Sequence, residues 1–270
     1  MDVDHNGAHL WAETSGPEGA PGVVLIHSGI ATARMWDPLL PELAAARRVV
    51  RYDARQFGRT TAGDASFSDV DDLLAVMDAA GVERATLVGA SRGGGIALDA
   101  ALAHPARVSG LVTIGSSPSG FPEPELTARE QAASDRLDEL EAQGEHLAVN
   151  RLEAELWAAG TTRELSDLDP VFLERAYALN LENLPHASAA GTRVPAAPLA
   201  FGRTGEITVP ALVTIGEHDL SPLHPAADDL VSTMPDATLI RFADSAHSPS
   251  IEHPARFAAV LMPWLAAHSL

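Results

Sequence analysis

The pentapeptide Gly89-Ala90-Ser91-Arg92-Gly93 is the part of the sequence that most clearly suggests chemistry. It follows the apolar run 86–88, which is typical of a buried strand, and it opens a segment typical of a helix. A serine on a sharp turn between a strand and a helix is held in a strained backbone conformation, and the residues two before and two after it must be small. Gly89 and Gly93 meet that need, so we predict that Ser91 is an exposed nucleophile. Taken alone, the pentapeptide also fits a glycine-rich turn that carries an incidental serine.

A serine hydroxyl needs a base to take its proton, and the base needs an acid to orient it. Asp219 follows the apolar run 211–215, and His247 follows the run 238–242. Because the carboxyl ends of parallel strands meet at one edge of a sheet, we expect both side chains near the nucleophile. The chain order serine, acid, histidine is also the order that accompanies this pentapeptide. The alternatives are a loop-capping aspartate, with Glu217 as the competing acid, and an ordinary surface histidine.

A tetrahedral intermediate needs two hydrogen-bond donors at its oxygen, which together form an oxyanion hole. We expect the first from the backbone N–H of Arg92, directly after the nucleophile. The second is expected from the loop His27-Ser28-Gly29-Ile30, which follows the apolar run 23–26. Gly29 is our choice, because a residue without a side chain lets substrate approach, and Ile30 is the alternative. The histidine of this loop is interpreted as a brace rather than as a catalytic group.

The elements that position these residues alternate along the chain between apolar runs of strand length and segments of helical period, which predicts a parallel sheet flanked by helices. The predicted strands are 23–26, 48–52, 85–89, 108–114, 211–215 and 238–242, with an antiparallel hairpin around 9–14. The predicted helices are 35–45, 68–80, 96–103, 225–234 and 254–267, and further helices are expected within 126–157 and 172–184. We therefore predict an α/β core domain, residues 1–117 and 206–270, into which a helical subdomain, residues 118–205, is inserted.

The composition is that of a globular protein with a strong acidic excess. The 270 residues are 46% hydrophobic, and 37 acidic against 18 basic residues give a net charge of −19. Repulsion by phosphates argues against nucleic acid and anionic membranes as partners. The lack of cysteine excludes disulfides and thiolate chemistry. Because the first residues carry acids instead of Lys or Arg and no apolar run is long enough to span a bilayer, we expect a cytoplasmic protein. The expected assembly is a monomer or a homodimer.

Together these motifs resemble the α/β-hydrolase family, and the likeness covers nearly the whole chain. Besides the pentapeptide, it rests on His27-Ser28-Gly29, on Arg34-Met35-Trp36-Asp37, on the segment 52–60, and on the segments around Asp219 and His247. The resemblance implies an eight-stranded, mostly parallel sheet with a helical cap, residues 118–205, over the active site. Within the family the chain resembles 3-oxoadipate enol-lactonases and related esterases. It departs from the family's motifs at Ser28, Gln56 and Arg92.

The resemblance and the predicted triad favour hydrolysis of a small-molecule carboxylic ester or lactone through an acyl-enzyme, with no cofactor and no metal. The same triad would serve carbon–carbon bond hydrolysis of a diketone-like substrate, and the fold also allows a non-hydrolytic or binding role. Arg92 prompts the hypothesis of an acidic substrate held by its guanidinium, but pairing with an acid in the scaffold or cap is the favoured interpretation. Ile30, Trp36 and Trp157 are the predicted substrate-binding residues, although aromatic side chains more often pack in a core.

Overall fold

A mostly parallel sheet carries the predicted site, in a computed structural model that describes residues 1–122 and 125–270. Its strands are β1 (Asp2–His5), β2 (Ala8–Ser15), β3 (Gly22–Ile26), β4 (Arg48–Tyr52), β5 (Thr61–Ala62), β6 (Ala85–Ala90), β7 (Val108–Ile114), β8 (Ala211–Gly216) and β9 (Ala237–Phe242). Eight strands lie in the order β1-β2-β4-β3-β6-β7-β8-β9, and the short β5 pairs with β2 at the side. β2 pairs antiparallel with β1, β4 and β5, and the neighbours in the path β4-β3-β6-β7-β8-β9 pair in parallel. The predicted fold class is confirmed.

Helices occupy the connections between the strands. They are α1 (Leu40–Ala44), α2 (Asp69–Ala79), α3 (Arg92–Ala103), α4 (Ala128–Ala142), α5 (His146–Ala159), α6 (Pro170–Leu181), α7 (Leu223–Thr233), α8 (Pro249–Glu252) and α9 (Pro254–Ala267). At α2, Ser68 caps the helix by accepting a hydrogen bond from the N–H of Asp71, and at α4, Thr127 forms a capping box with Glu130. None of the helices in the described ranges is both long and apolar enough to cross a membrane.

The prediction of one helix over residues 35–45 is wrong. The structure has a 3₁₀ turn at Ala33–Trp36, then a break, and then α1. Pro38 and Pro41 account for the break, because proline has no N–H for the helical ladder and is tolerated only in the first turn of a helix. Pro41 lies in that first turn of α1.

Two apolar clusters, one on each face of the sheet, form the core. Along β3, Val24 and Ile26 belong to one cluster and Val23 and Leu25 to the other, as the two-residue period of a strand requires. Side chains of α2, α3 and α7 cover the first face, and those of α9 and the 3₁₀ turn cover the second. Because both faces are covered, the central strands are buried throughout. Ligands of such open sheets bind outside the carboxyl ends of the strands, which is the edge that carries the predicted site.

The chain between β7 and β8 leaves the sheet and forms α4, α5 and α6. We call residues 118–205 the helical insertion. It lies against the loops that follow β8 and β9: the N–H of Thr161 donates to the carbonyl of His218 (3.0 Å), and the N–H of His247 donates to the carbonyl of Trp157 (3.4 Å). The insertion is therefore in contact with the loops that carry the predicted acid and base.

Candidate active site

Ser91 stands between the last residue of β6 and the first residue of α3, with φ of 50° and ψ of −117°. A positive φ is strained for a serine, and the surroundings hold it there. A Cβ on Gly89 would lie 2.2 Å from the carbonyl oxygen of Gly93, and a Cβ on Gly93 would lie 2.3 Å from that of Ile26. Only glycines allow this close passage of backbone, so the turn has the geometry that the pentapeptide predicts for a nucleophile.

His247 and Asp219 form a buried pair at the carboxyl edge of the sheet. The imidazole Nδ1 lies 2.9 Å from Oδ1 and 3.1 Å from Oδ2 of Asp219, and the carboxylate also accepts from the N–H of Leu220 at 2.8 Å. Since an ionised carboxylate can only accept, Nδ1 is the nitrogen that carries a proton, and in the neutral imidazole Nε2 is then the one with the lone pair. Gly115, with φ of 53°, backs the pair, and a Cβ there would lie 2.9 Å from both His247 Nδ1 and Asp219 Oδ2. No motif in the sequence points to this glycine.

Trp157 of α5 covers the imidazole of His247. The two ring centroids are 4.1 Å apart with an interplanar angle of 40°. Within the described residues no hydrogen bond joins Ser91 Oγ to His247, so the structure pairs the predicted base with its acid but leaves the nucleophile separate. Ser91, Gly115 and Trp157 line one common cavity, and both Gly115 and Trp157 adjoin His247, so the histidine–aspartate pair lies behind a wall of the cavity that contains Ser91.

The loop that follows β3 is held by a neutral histidine. His27 is fully buried, its Nδ1–H donates to the carbonyl of Ser28 (2.7 Å), and its Nε2 accepts from the N–H of Ala54 (2.9 Å). Burial lowers the pKa of His27 to about 4, which outweighs the opposing effect of the Ser28 carbonyl. A Cβ built on Gly29 would have nothing within 4 Å, so this residue faces open space. Gly29 lies on the wall of the second cavity described below, and its role as the second oxyanion donor stays a prediction.

Two of the departures from the family's motifs have a structural reason. Gln56, where a glycine is usual, keeps the positive φ (69°) and donates from Nε2 to the carbonyl of Gly191 at 2.7 Å. Arg92 donates from Nη2 to Oδ1 of Asp69 at 2.5 Å, so its side chain pairs with an acid of the scaffold. For the third departure, Ser28, the hydroxyl is buried without a hydrogen-bond partner among the described residues, and nothing in the structure explains it.

Two cavities open at this edge. The first, which we call the nucleophile cavity because it contains the predicted nucleophile, has a volume of about 620 Å³, and its walls include Ser91, Arg92, Phe121, Trp157, Arg193 and Leu199. The second cavity, of about 400 Å³, is lined by Gly29 and by side chains of the insertion that include Glu141, Asn150, Glu153 and Asn180. Within the described residues no group of three or more His, Asp and Glu side chains is arranged to hold a metal.

The three predicted substrate-binding residues lie in different surroundings. Trp157 lines the nucleophile cavity, and Ile30 is partly exposed beside Gly29. Trp36 is wholly buried in the apolar core, and this contradicts the prediction that its side chain lines the substrate pocket. Its place follows from the 3₁₀ turn, which packs Met35 and Trp36 under the sheet face. No motif in the sequence marks Arg193 as a cavity residue, because a lone arginine in a loop carries no signal of its own.

Comparison with known proteins agrees with this geometry. The family described as alpha/beta hydrolase fold matches residues 21–254. The chain is 29% identical to the pimeloyl-[acyl-carrier protein] methyl ester esterase of Aliivibrio salmonicida, over 92% of each chain. It is also 29% identical to the 2-hydroxymuconate semialdehyde hydrolase of a Pseudomonas species, over 90% of this chain and 86% of that one. The enol-lactonase of Burkholderia xenovorans has the same fold, with a TM-score of 0.75 at 23% identity over 97% of this chain and 98% of that one. This chain belongs to the α/β-hydrolase family.

Proposed function

We propose that this protein is a serine hydrolase that cleaves a carboxylic ester or lactone. The observation that carries the proposal is the buried Asp219–His247 pair, with the proton on Nδ1, at the same sheet edge as the strained Ser91. A histidine whose Nε2 is left as the lone-pair nitrogen is prepared to act as a base. The relatives named above are an esterase and a hydrolase, which agrees with this chemistry.

The proposed mechanism has two halves. Ser91 Oγ attacks the substrate carbonyl while His247 Nε2 takes its proton, and Asp219 stabilises the resulting imidazolium. The N–H groups of Arg92 and Gly29 hold the oxyanion, and His247 then gives its proton to the leaving alcohol oxygen. Water repeats the sequence on the acyl-enzyme and releases the acid and Ser91.

Acylation needs His247 within hydrogen-bond reach of Ser91, a contact that catalytic sites often complete only with substrate bound. Trp157 stacks on the imidazole and lines the cavity that substrate would enter. Substrate that displaces or presses on the indole would therefore also adjust the imidazole. In this proposal the helical insertion serves as a cap whose α5 contributes directly to the site.

The test is Ser91→Ala, compared with Ser117→Ala, a second serine in the wall of the same cavity. We expect a fluorophosphonate to add once to the wild type and to Ser117→Ala, as read by intact mass, and not to Ser91→Ala. With short-chain 4-nitrophenyl esters, kcat of Ser91→Ala should fall by roughly 10³-fold or more. Unchanged turnover by a folded Ser91→Ala protein would refute the assignment. Loss of labelling in both variants would point to damage to the cavity rather than to the nucleophile.

Carbon–carbon bond hydrolysis is the second candidate, because one relative is a 2-hydroxymuconate semialdehyde hydrolase. It would use the same three side chains, so labelling of Ser91 does not separate the two reactions. Product analysis with a ring-cleavage diketone does: a carboxylic acid and an enol or ketone product, formed faster than any ester is cleaved, would favour this candidate. No labelling of folded wild type would favour a non-hydrolytic role instead.

A further inference from the structure

Two arginines share one carboxylate in the wall of the nucleophile cavity. Asp69, at the start of α2, is 6% exposed, and it accepts from Arg92 on Oδ1 and from Arg193 on Oδ2. Asp69 can neutralise only one of the two guanidinium groups, and Asp99 is the second acid at this cavity. Because Arg92 and Arg193 both line the cavity that contains Ser91, which of these charged groups a ligand can contact bears on what the cavity accepts.

Arg92 is poorly placed to bind a ligand. Its side chain is 17% exposed, its guanidinium carbon lies 4.8 Å from the centroid of the Phe57 ring, and its Nη1 is buried without a partner. This guanidinium is enclosed by the scaffold, and its contacts account for its orientation. The hypothesis that Arg92 itself holds a substrate carboxylate therefore receives no support from its side-chain geometry.

Arg193 differs in each respect. Its side chain is 49% exposed, Nε donates to Asp69, and neither Nη nitrogen donates to any described atom. Its backbone is fixed by the neighbouring segment, since Phe67 N–H donates to Thr192 (3.0 Å) and Val194 N–H donates to Phe67 (2.7 Å). A guanidinium held at Nε keeps its Nη1–Nη2 edge available, which matches the two oxygens of a carboxylate.

Asp99 is the acid that opposes Arg193 in the same cavity. It is buried, and Ser119 Oγ donates to its Oδ1 at 2.6 Å. Burial raises the pKa of Asp99, although the Ser119 hydrogen bond and the charge of Arg193 reduce the effect. Since this carboxyl is buried and already bonded while the guanidinium of Arg193 is exposed, Arg193 is the charged group that a ligand in the cavity can most readily contact.

We propose that Arg193 determines substrate specificity by binding a carboxylate on the acyl part of the substrate, which makes monoesters of dicarboxylic acids, or lactones bearing a carboxylate, the preferred class. The inference rests on the proposed function of Ser91. Pro195, Ala196, Leu199 and Trp157 supply an apolar wall to the same cavity, suited to the methylene chain between the two ends of such a substrate.

The test compares 4-nitrophenyl hydrogen adipate, pimelate and suberate with the neutral hexanoate, heptanoate and octanoate esters of matched acyl length. Wild type should favour the anionic member of at least one pair by about tenfold or more in kcat/KM. Arg193→Gln should lose that preference while it keeps neutral-ester turnover within about threefold. Arg203→Gln is the matched control, because that arginine bonds with Glu206 and should leave the ratio unchanged.

Equal turnover of anionic and neutral esters by wild type, or an equal loss on both in Arg193→Gln, would overturn the inference while leaving the nucleophile intact. A second readout does not depend on ester turnover. Hexanoate, which carries one carboxylate, should slow fluorophosphonate labelling of wild-type Ser91 more than the neutral hexanamide does, and Arg193→Gln should abolish the difference. Failure of labelling itself, by contrast, would count against the proposed function.

Discussion

Two carboxylates of the helical insertion, those of Glu130 and Glu153, differ in how many hydrogen bonds they accept. Glu130 of α4 is 4% exposed and accepts four hydrogen bonds, from N–H and Oγ of Thr127 (2.8 and 2.6 Å) and of Ser221 (2.7 and 2.6 Å). Glu153 of α5 accepts one, from Nδ2 of Asn180 at 3.1 Å. One side of the insertion is hydrogen-bonded to the core through Glu130. On the other side, the carboxylate of Glu153 lies beside a cavity with a single hydrogen bond.

The bonded side, which we call the docking face, comprises Glu130, Gly160, Thr161 and Arg163. It holds the loops that carry the predicted acid and base: Glu130 binds Ser221, two residues after Asp219, and Arg163 donates to both oxygens of Glu252 at 2.6 and 3.2 Å. These contacts argue that this side acts as part of the active-site scaffold rather than as a mobile lid.

The other side, which we call the open face, comprises Glu141, Asn150, Glu153 and Asn180 around the second cavity. Asn150 and Asn180 tie α5 to α6 by donating to each other's carbonyls at 2.7 and 2.8 Å. The two glutamates form no ion pair within the described residues. Contacts to the loops of the predicted acid and base are concentrated on the docking face, so disturbing that face should cost activity, and neutralising the open face should not.

Gly160→Ala should break the docking face with the largest effect. Gly160 has φ of 70° and ψ of −153°, and a Cβ there would lie 1.7 Å from the carbonyl oxygen of His218, next to Asp219. Backbone must move to relieve that contact, so we expect a loss of about 3 kcal/mol or more in the free energy of unfolding, measured in urea, and a lower kcat.

Gly144→Ala is the matched control for that variant. Gly144 also has a positive φ, 72°, but a Cβ there would have nothing within 4 Å. It should cost only the backbone strain, about 1–2 kcal/mol, with kcat unchanged. Equal losses in the two variants would mean that the strain, and not the contact with His218, explains the result.

Glu130→Gln should have the next largest effect. Burial raises the pKa of Glu130, but the hydrogen bonds from Ser221 and Thr127 outweigh it, so the pKa lies below its ordinary value of 4.5. The side-chain NH₂ of the new glutamine is itself a donor and would face the N–H and hydroxyl donors of Thr127 or Ser221. We therefore expect a loss of about 2 kcal/mol in the free energy of unfolding at neutral pH, together with a reduced kcat at similar KM. Glu139→Gln, at an exposed pair with Arg136 on the same helix, should change neither.

Acid should shrink the difference between wild type and Glu130→Gln. A carboxylate with a lowered pKa contributes stability above 4.5 and loses it as the pH falls toward its folded-state pKa. Urea unfolding of both proteins between neutral pH and the onset of acid denaturation measures this. A constant difference over that range would contradict the role given to the ionised carboxylate.

The local parts of the site were predictable from the sequence. The strain at Ser91 needs small neighbours within two residues, and Asp219 and His247 follow apolar strands, so neighbouring residues carry the signal. The break at Pro38 shows a limit even for local patterns. The helical period over 35–45 predicts one continuous helix, although a proline within that range is expected to interrupt it.

Contacts between distant residues were not predictable in the same way. Glu130 and Ser221 are 91 residues apart, and Arg193 and Asp69 are 124 apart, yet each pair decides how a loop or a cavity wall is held. Capping chemistry could predict the bonds of Glu130 with Thr127, but not those with Ser221, because only the docking of the insertion brings the second pair together.

Glu153→Gln should have the smallest effect and the opposite sign. Burial raises the pKa of Glu153, the charge of Glu141 adds to the shift, and the hydrogen bond from Asn180 opposes it. A carboxyl with a raised pKa destabilises the folded state when ionised, so the wild type should gain stability as the pH falls toward 4.5, and the variant should not show this gain. At neutral pH the variant should be more stable by about 0.5–1 kcal/mol, with kcat unchanged, as measured by urea unfolding and ester turnover. A destabilised variant would show that the hydrogen bond from Asn180 contributes more to stability than burial of the Glu153 charge costs. The open face would then be stabilised by its carboxylate, as the docking face is.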